Sequence, residues 1–313
     1  MKTDLIEQLR DLGTVRLDEP LSRHVTFGVG GPADVYFVAE SEDSLRLAYS
    51  LARSSDVPVF IFGSGSNILV GDNGVRGLTI ENRTDTIDGP AQNGAGFKVR
   101  VASGVSFATL ARRMANAGYS GVEWACGIPG SLGGAVVTNA GAYESSLADV
   151  VRGARLSDAS GAVRELTPDD LQLTYRNSAF TRGGLRDAIV LSVDLRLDRG
   201  DANELKARVK EMDAERKAAQ PPGRNCGSVF KNPASPAGGP PDHPSWWYVD
   251  QVGLRGHRIG NAQFSEQHAN FILNLGGAKA SDITALIGLA QELVREKFGI
   301  QLETEVMMVG EFA

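Results

Sequence analysis

The run Gly127-Ile128-Pro129-Gly130-Ser131-Leu132-Gly133-Gly134, followed directly by Ala135 to Tyr143, constrains the fold of this chain more than any other segment. Glycines at this density let the main chain approach a large flat ligand and turn its N–H groups toward an anion. No charged side chain interrupts the segment until Glu144. A second glycine-rich loop, Gly63-Ser64-Gly65-Ser66-Asn67, follows the apolar run Val57 to Phe62. An apolar run ending in such a turn reads as a strand feeding a phosphate cradle. Either loop alone could be a simple turn between strands. Two together, well separated in the chain, suggest a dinucleotide whose pyrophosphate and ring system are held at different points.

Neither loop fits the two best-known nucleotide templates. The Gly-x-x-x-x-Gly-Lys-Ser/Thr pattern needs a lysine for the β- and γ-phosphates, and none follows Gly63 or Gly127 at that spacing. A Gly-x-Gly-x-x-Gly turn should open a long amphipathic helix, yet Ser66 to Val70 runs into the turn Gly71-Asp72-Asn73-Gly74. The nucleotide site therefore belongs to neither class.

A chain of 313 residues is too long for one compact core and predicts two or three domains. The net charge of −6 includes no basic stripe, and Lys206 to Lys217 alternates with Glu211, Asp213 and Glu215, which reads as a solvated helix face. Nucleic-acid binding is not expected. The two cysteines, Cys126 and Cys226, lie beside glycine motifs rather than in a spaced framework, so they read as small buried residues in a reducing compartment. The four histidines are scattered, and no cluster has metal-ligand spacing. The amino terminus lacks a signal-peptide core, and no apolar stretch approaches the roughly 20 residues that span a bilayer. A cytoplasmic protein without membrane insertion is expected.

Periodicity predicts a strand–helix–strand lobe from Asp34 to Ile80, its helix capped by Ser41. Strands return between Glu81 and Arg199, notably Lys98 to Val101 and Ala188 to Val193, interrupted by a helix from Ser106 to Ala117 that places Leu110, Met114 and Ala117 on one face. A long polar helix, Ala202 to Gln220, ends at Pro221-Pro222-Gly223. Beyond it, a strand at Asn270 to Asn274 precedes a helix capped by Ser281 and stopped at Gly299. A closing strand from Ile300 to Val309 is expected to return toward the flanking lobes. Pro233 to Pro244, rich in proline and glycine, reads as a loop.

Four motifs then occur in order: Gly63-Ser64-Gly65-Ser66-Asn67-Ile68-Leu69; Gly127 to Ser131 with Asn139-Ala140-Gly141-Ala142-Tyr143; Tyr175-Arg176-Asn177-Ser178; and Gly227-Ser228-Val229-Phe230-Lys231-Asn232-Pro233. Together they resemble the UDP-N-acetylenolpyruvoylglucosamine reductase family, flavoenzymes of peptidoglycan precursor synthesis. The resemblance extends from about Thr26 to Val306. It implies an α+β fold: a two-lobed FAD-binding region of the PCMH/vanillyl-alcohol-oxidase type and a C-terminal α+β substrate-binding domain. The corresponding divisions are 1–80 and 81–200 for the flavin lobes, 201–298 for the substrate domain, and 299–313 for the returning strand. It also implies non-covalent FAD, NADPH as hydride donor, a UDP-sugar substrate and a monomeric protein. A hydroxy-acid oxidase or dehydrogenase of the same flavin fold and a non-catalytic nucleotide-sugar or flavin-binding module are the alternatives.

By the same resemblance, Gly63, Ser64, Gly65, Ser66, Asn67, Gly127, Ile128, Pro129, Gly130, Ser131, Gly133, Gly134, Asn139 and Gly141 hold the cofactor. Ser228, which locally reads as a turn cap, matches the proton donor to the substrate carbon. Arg176, locally a surface arginine, matches the group that binds the substrate carboxylate, where its planar fork can hold both oxygens. Alternation on a strand puts Glu303 and Glu305 on one face, and the second matches the acid that completes the catalytic set, a role that asks for a raised pKa in a dry pocket. Tyr175, Arg224, Lys231, Asn232 and His268 are implied at the UDP-sugar. Two departures stand out. The span between Ser178 and Ala188 is short, so the chain resembles the branch lacking an inserted tyrosine loop that closes over substrate. The stretch from Pro240 to Tyr248 is unusually proline-rich, and its Trp246, Trp247 and Tyr248 could stack on a uracil ring but are expected to pack in the domain core instead.

Overall fold

The computed structural model describes residues 3–234 and 242–312, so Pro240 and Pro241 of the proline-rich stretch lie outside the described residues. The chain forms two units. One comprises Met1–Leu17, Val35–Ser64 and Gly77–Arg216; the other comprises Asp18–Asp34, Gly65–Arg76 and Lys217–Ala313. The chain crosses from the first to the second between Ser64 and Gly65, inside the first glycine loop.

The first unit carries the expected strand–helix–strand. Strands Pro32–Ala39 and Val75–Asn82 begin in the other unit and run into this one, and Val59–Phe62 pairs in parallel with Val75–Asn82. The intervening helix, Glu42–Ser54, starts at Ser41, whose hydroxyl accepts the Ser44 N–H at 3.1 Å while Ser44 Oγ accepts that of Ser41 at 3.1 Å. This reciprocal cap satisfies two otherwise orphaned donors. Leu45, Ala48, Tyr49 and Ala52 form its buried face.

The larger sheet of this unit runs Val163–Leu166, Val151–Asp158, Ala188–Arg199, Gly96–Ala102, Ile87–Asn93, with Tyr119–Ser120 also pairing with Ala188–Arg199. One face buries Val99, Val101, Val193 and Leu195 against the Phe107–Asn116 helix, whose Phe107, Leu110, Ala111, Met114 and Ala115 are buried. Ala117, expected on that face, is instead the exposed C-cap, because Gly118 with φ +77° ends the helix there.

The second unit holds the three-stranded sheet Arg258–Ile259, Ala262–Phe264, Ile272–Asn274 and the long helix Ala280–Phe298. That helix begins two residues earlier than a Ser281 cap predicts, with Lys279 at the cap position. Asp72 reaches its first turn from the Gly71 to Gly74 turn, accepting the N–H groups of Ala280 at 2.7 Å and Ser281 at 3.0 Å. Asp282 accepts the Lys279 N–H at 3.0 Å. The orphaned donors are thus met by a carboxylate distant in sequence, which local inspection cannot find. The helix ends at Gly299 with φ +69°, as expected.

The closing strand is shorter than predicted. Only Met307–Val309 is strand, paired in parallel with Ile68–Val70 of the same unit. Residues 300–306 take irregular partners: Gln291 Nε2 donates to Leu302 O at 2.9 Å, and Thr304 forms a single antiparallel bridge to Phe230. No described helix is long and apolar enough to cross a membrane.

Candidate active site

In the first unit Gly63, which opens the first glycine loop, lies against Ser131 of the second. A Cβ on Gly63 would fall 2.1 Å from Ser131 Oγ, so only glycine permits this approach. The second loop is wired into the sheet: Leu132 N–H donates to Val105 O at 2.8 Å, Gly133 N–H to Ser103 O at 2.8 Å, and Phe107 N–H to Gly130 O at 3.0 Å. Ser131 caps the Leu132–Thr138 helix by accepting the Gly134 N–H. That helix stops at Asn139 in the left-handed conformation, φ +44°.

Asn139 joins this loop to the Tyr175–Arg176 motif. Its amide donates to Thr174 O at 2.9 Å, and its carbonyl accepts the Ala148 N–H at 3.1 Å. Thr174 and Asn177 exchange backbone hydrogen bonds at 3.0 and 3.1 Å, closing a two-residue turn with Tyr175 and Arg176 at its tip. Ser178 Oγ anchors the turn to Val137 O at 2.7 Å. Arg176 has φ +51°, a conformation that disfavours a side chain with a Cβ. Its guanidinium donates to Gly141 O at 2.9 Å and Asn139 O at 3.4 Å and lies 5.4 Å from the centre of the exposed Tyr175 ring.

The helix read as a solvated face has a packed one. Ala202–Ala219 buries Leu205, Val209 and Met212, Tyr143 donates to Met212 O at 2.8 Å, and Asp213 holds Arg112 at 2.9 Å. One turn further on, Arg216 lies so close to Gly127 that a Cβ there would meet its Cδ at 2.4 Å. Burial pushes the Arg216 pKa down, and the positive charge of Arg176 adds to that. Two guanidinium groups that repel each other beside a glycine loop make a site receptive to an anion. Charge alternation along Lys206 to Lys217 hid Arg216; the row 205, 209, 212, 216 was the available signal.

The second unit assembles the other motif. Glu305 N–H donates to Val229 O at 2.7 Å and Lys231 N–H to Glu303 O at 2.9 Å, so residues 229–231 and 303–305 run antiparallel around the Phe230–Thr304 bridge. This register sets half-buried Glu305 opposite Val229, next to Ser228, and leaves Glu303 exposed. Glu303 meets Lys231 Nζ at 3.4 Å. Asn67, from the first glycine motif, donates to Glu305 O at 3.1 Å. The Ser228 hydroxyl is half-buried and has no hydrogen-bond partner among the described residues. Gly227 precedes it with φ +83°, its N–H capped by Asn225 Oδ1 at 3.0 Å. Cys226 is buried, and its thiol pKa is pushed up, first by burial and then by the charge of Glu305.

Asn270, which sequence reasoning missed, holds this segment in place. Val229 N–H donates to its backbone O at 2.8 Å and Phe230 N–H to its Oδ1 at 2.9 Å, while its Nδ2 donates to Phe230 O and Ser245 Oγ, each at 2.8 Å. A buried polar side chain opening an apolar run was the clue, since such groups are kept where they satisfy backbone. Asn232 Oδ1 accepts the Ser245 N–H at 2.9 Å. Arg224 is exposed and packs over Gly28. His268 is half-buried, its Nδ1 accepting the Asn270 N–H at 3.3 Å, and burial lowers its pKa from 6.5. Of the aromatic triplet, Trp247 and Tyr248 pack as expected against Phe298, with centroids at 5.6 and 5.3 Å.

Each glycine loop by itself fits an anionic ligand: residues 63–67 and 127–134 contain no carboxylate, and Arg216 stands against Gly127. Comparison agrees. An FAD-binding domain model matches residues 33–167, and a model of the UDP-N-acetylenolpyruvoylglucosamine reductase C-terminal domain matches residues 218–309. Fold and glycine cradle together define an FAD-dependent flavoprotein with a separate C-terminal α+β domain. Proteins named UDP-N-acetylenolpyruvoylglucosamine reductase are 39% identical over 98% of this chain in Agathobacter rectalis, covering 97% of that protein, and 41% identical over 96% in Nostoc punctiforme, covering 87%. The crystal structure of the Thermus caldophilus reductase superposes with a TM-score of 0.74 at 32% identity, covering 95% of this chain and 98% of that one. The chain belongs to the UDP-N-acetylenolpyruvoylglucosamine reductase family.

Proposed function

We propose that the protein catalyses the NADPH-dependent reduction of the enolpyruvyl group of UDP-N-acetylglucosamine enolpyruvate to UDP-N-acetylmuramate, a step of peptidoglycan precursor synthesis. FAD, when bound, would supply the hydride-transfer chemistry that links NADPH to the terminal enolpyruvyl carbon. Residues 1–80 and 81–200 hold it non-covalently through Gly63 to Asn67 and Gly127 to Gly141; residues 201–298 take the sugar nucleotide and 299–313 return Glu305 to the site. The protein acts as a cytoplasmic monomer.

The observation that carries this reading is the antiparallel pairing of 229–231 with 303–305, which sets Glu305 opposite Val229, the residue after Ser228, whose hydroxyl no described residue engages. Hydride arriving at the terminal carbon leaves a pair of electrons on the adjacent carbon, delocalised into the carboxylate. Ser228 donates its proton to that adjacent carbon and is reprotonated from water. Arg176 binds the carboxylate with its planar fork and stabilises the charge that builds there, an interaction stronger in the transition state than in the ground state. Glu305 hydrogen-bonds the carboxylate in its enolic form. Tyr175, Arg224, Lys231, Asn232 and His268 hold the nucleotide sugar.

An anaerobic titration tests the whole reading. NADPH should bleach the flavin absorbance of the purified protein, and the enolpyruvyl sugar nucleotide should restore it stoichiometrically. Reoxidation by oxygen with a small hydroxy acid as reductant, and none by the sugar nucleotide, would replace this reading with an oxidase.

A further inference from the structure

The aromatic cluster of the second unit leaves one member unused. Trp247 stacks on His243 at 3.8 Å, with 18° between ring planes, and meets Tyr248 edge-on at 5.1 Å. Trp246, next to it on the Ser245–Gln251 helix, contacts a single ring among the described residues, His268, at 6.3 Å and 64°. It is 38% exposed, whereas Trp124 is 5% exposed. An indole is the largest apolar side chain, and one left in solvent beside a built polar site marks a binding surface more than a packing surface.

That neighbourhood is built. Ser245 is 1% exposed and gives its N–H to Asn232, while Asn270 donates to Ser245 Oγ, so the first turn of the helix is fixed to the Ser228–Asn232 segment. His268 is fixed from the other side, its Nδ1 taking the Asn270 N–H and its backbone N–H donating to Ser265 Oγ at 3.2 Å. With Nδ1 an acceptor and the ring held neutral by burial, the proton sits on Nε2, which becomes a donor. The pair itself therefore offers a partly exposed indole and one neutral N–H. A flat, uncharged ring with carbonyl acceptors at its edge meets both, which describes uracil.

We propose that Trp246 is the stacking platform for the uracil of the nucleotide sugar, with His268 donating to a ring carbonyl, so that Trp246 helps set base specificity. This rests on the reading that the second unit takes the UDP-sugar. The natural probe pair is UDP and 5,6-dihydro-UDP, which keep the same carbonyls, N–H and phosphates but differ in whether the base is planar and aromatic.

Calorimetric titration of the FAD-loaded protein should show UDP binding about tenfold more tightly than dihydro-UDP, within the range one base–aromatic stack contributes. Trp246→Ala should weaken UDP about tenfold, leave dihydro-UDP nearly unchanged and so erase the preference, while Trp246→Phe stays within about threefold of the parent. Flavin content and the rate of reduction by NADPH should not change, and in turnover KM should rise with kcat little altered. Unchanged UDP binding by Trp246→Ala overturns the platform, as does equal loss of both probes, which would make the role structural. Loss of 2′,5′-ADP binding in place of UDP would assign the ring to the hydride donor and overturn it too. A parent protein whose reduced flavin ignores the enolpyruvyl nucleotide would instead overturn the functional reading itself, so the two failures are separable.

Discussion

Removing the Ser228 hydroxyl should separate chemistry from stability. The hydroxyl is half-buried and has no hydrogen-bond partner among the described residues, so Ser228→Ala breaks no internal bond and leaves no buried group unsatisfied. Gly227 supplies the unusual backbone angle and Asn270 the anchoring of residues 229 and 230, and neither depends on the serine side chain. The expected change in folding free energy is therefore within about 0.5 kcal/mol, as for a substitution that touches no special feature. FAD content and reduction by NADPH should match the parent, because in the proposed mechanism the hydroxyl acts only on the proton that reaches the substrate. The step in which substrate accepts hydride should slow by about 10² to 10⁴, which at about 1.4 kcal/mol per decade is roughly 2.7 to 5.5 kcal/mol of lost transition-state stabilisation. Ser228→Cys, which keeps a donor in nearly the same place, should recover part of it.

Stopped-flow absorbance resolves the two half-reactions. The protein is first reduced with one equivalent of NADPH without oxygen and then mixed with the enolpyruvyl sugar nucleotide while the flavin band is followed. Reoxidation of Ser228→Ala at the parent rate would exclude this serine as the proton donor. A loss of rate accompanied by a fall in stability well beyond the expected limit would show that the hydroxyl has a structural task, and the argument from its missing partner would fail.

Arg176→Lys keeps the charge but loses the fork that spans two backbone carbonyls, so the substrate half-reaction should slow by about 10² to 10³ with NADPH reduction intact; equal slowing of both would point to a folding or flavin defect. Gly63→Ala drives a methyl group to 2.1 Å from Ser131 Oγ, so the purified protein should carry less FAD, and full occupancy in this variant would remove the contact from the cofactor cradle. Asp72→Ala strips two first-turn N–H groups of the Ala280–Phe298 helix of their acceptor and should lower stability by about 1 to 2 kcal/mol in denaturant unfolding, with no change expected if water replaces the cap fully. His268 has a folded pKa below the 6.5 of the free side chain, so the unfolded chain takes up the proton first: its contribution to stability is complete above about pH 6.5 and declines as pH falls below it. His268→Gln should flatten that acid limb, and an unaltered pH profile would count against the burial argument.

What was legible in the sequence followed local rules. Ser41 as a helix cap, Gly299 as a stop, and the alternation of Lys98 to Val101 each rest on a few neighbouring residues, and the structure has them as read. What escaped depends on partners far along the chain. The acceptor at the start of the last long helix is Asp72, not a local serine, and the anchor of the Ser228 segment is Asn270. Arg216 escaped for a different reason. Its helix has so many charges that the buried row at Leu205, Val209 and Met212 is narrow, and charge alternation masks a face that only three apolar side chains define. The closing strand was overextended because an alternating pattern in Gln301 to Val306 is also satisfied by a chain whose carbonyls and N–H groups are taken singly by Val229, Lys231 and Gln291.

The turn at Arg176 shows why a site can look unremarkable in sequence and still be specified. Its φ of +51° would be relaxed with glycine, and a side chain there is strained by an amount of order 1 kcal/mol. The surrounding structure outweighs that strain: the Thr174–Asn177 pairing, the Asn139 amide on Thr174 O and the Ser178 hydroxyl on Val137 O all fix the turn before its tip is considered. The two carbonyls that receive the guanidinium belong to Asn139 and Gly141, at the end of the helix that the second glycine loop begins. One short segment therefore begins in the second glycine loop and ends in the two carbonyls that hold the Arg176 guanidinium. Conformational strain at Arg176 is invisible to any reading that scores residue types without their backbone angles.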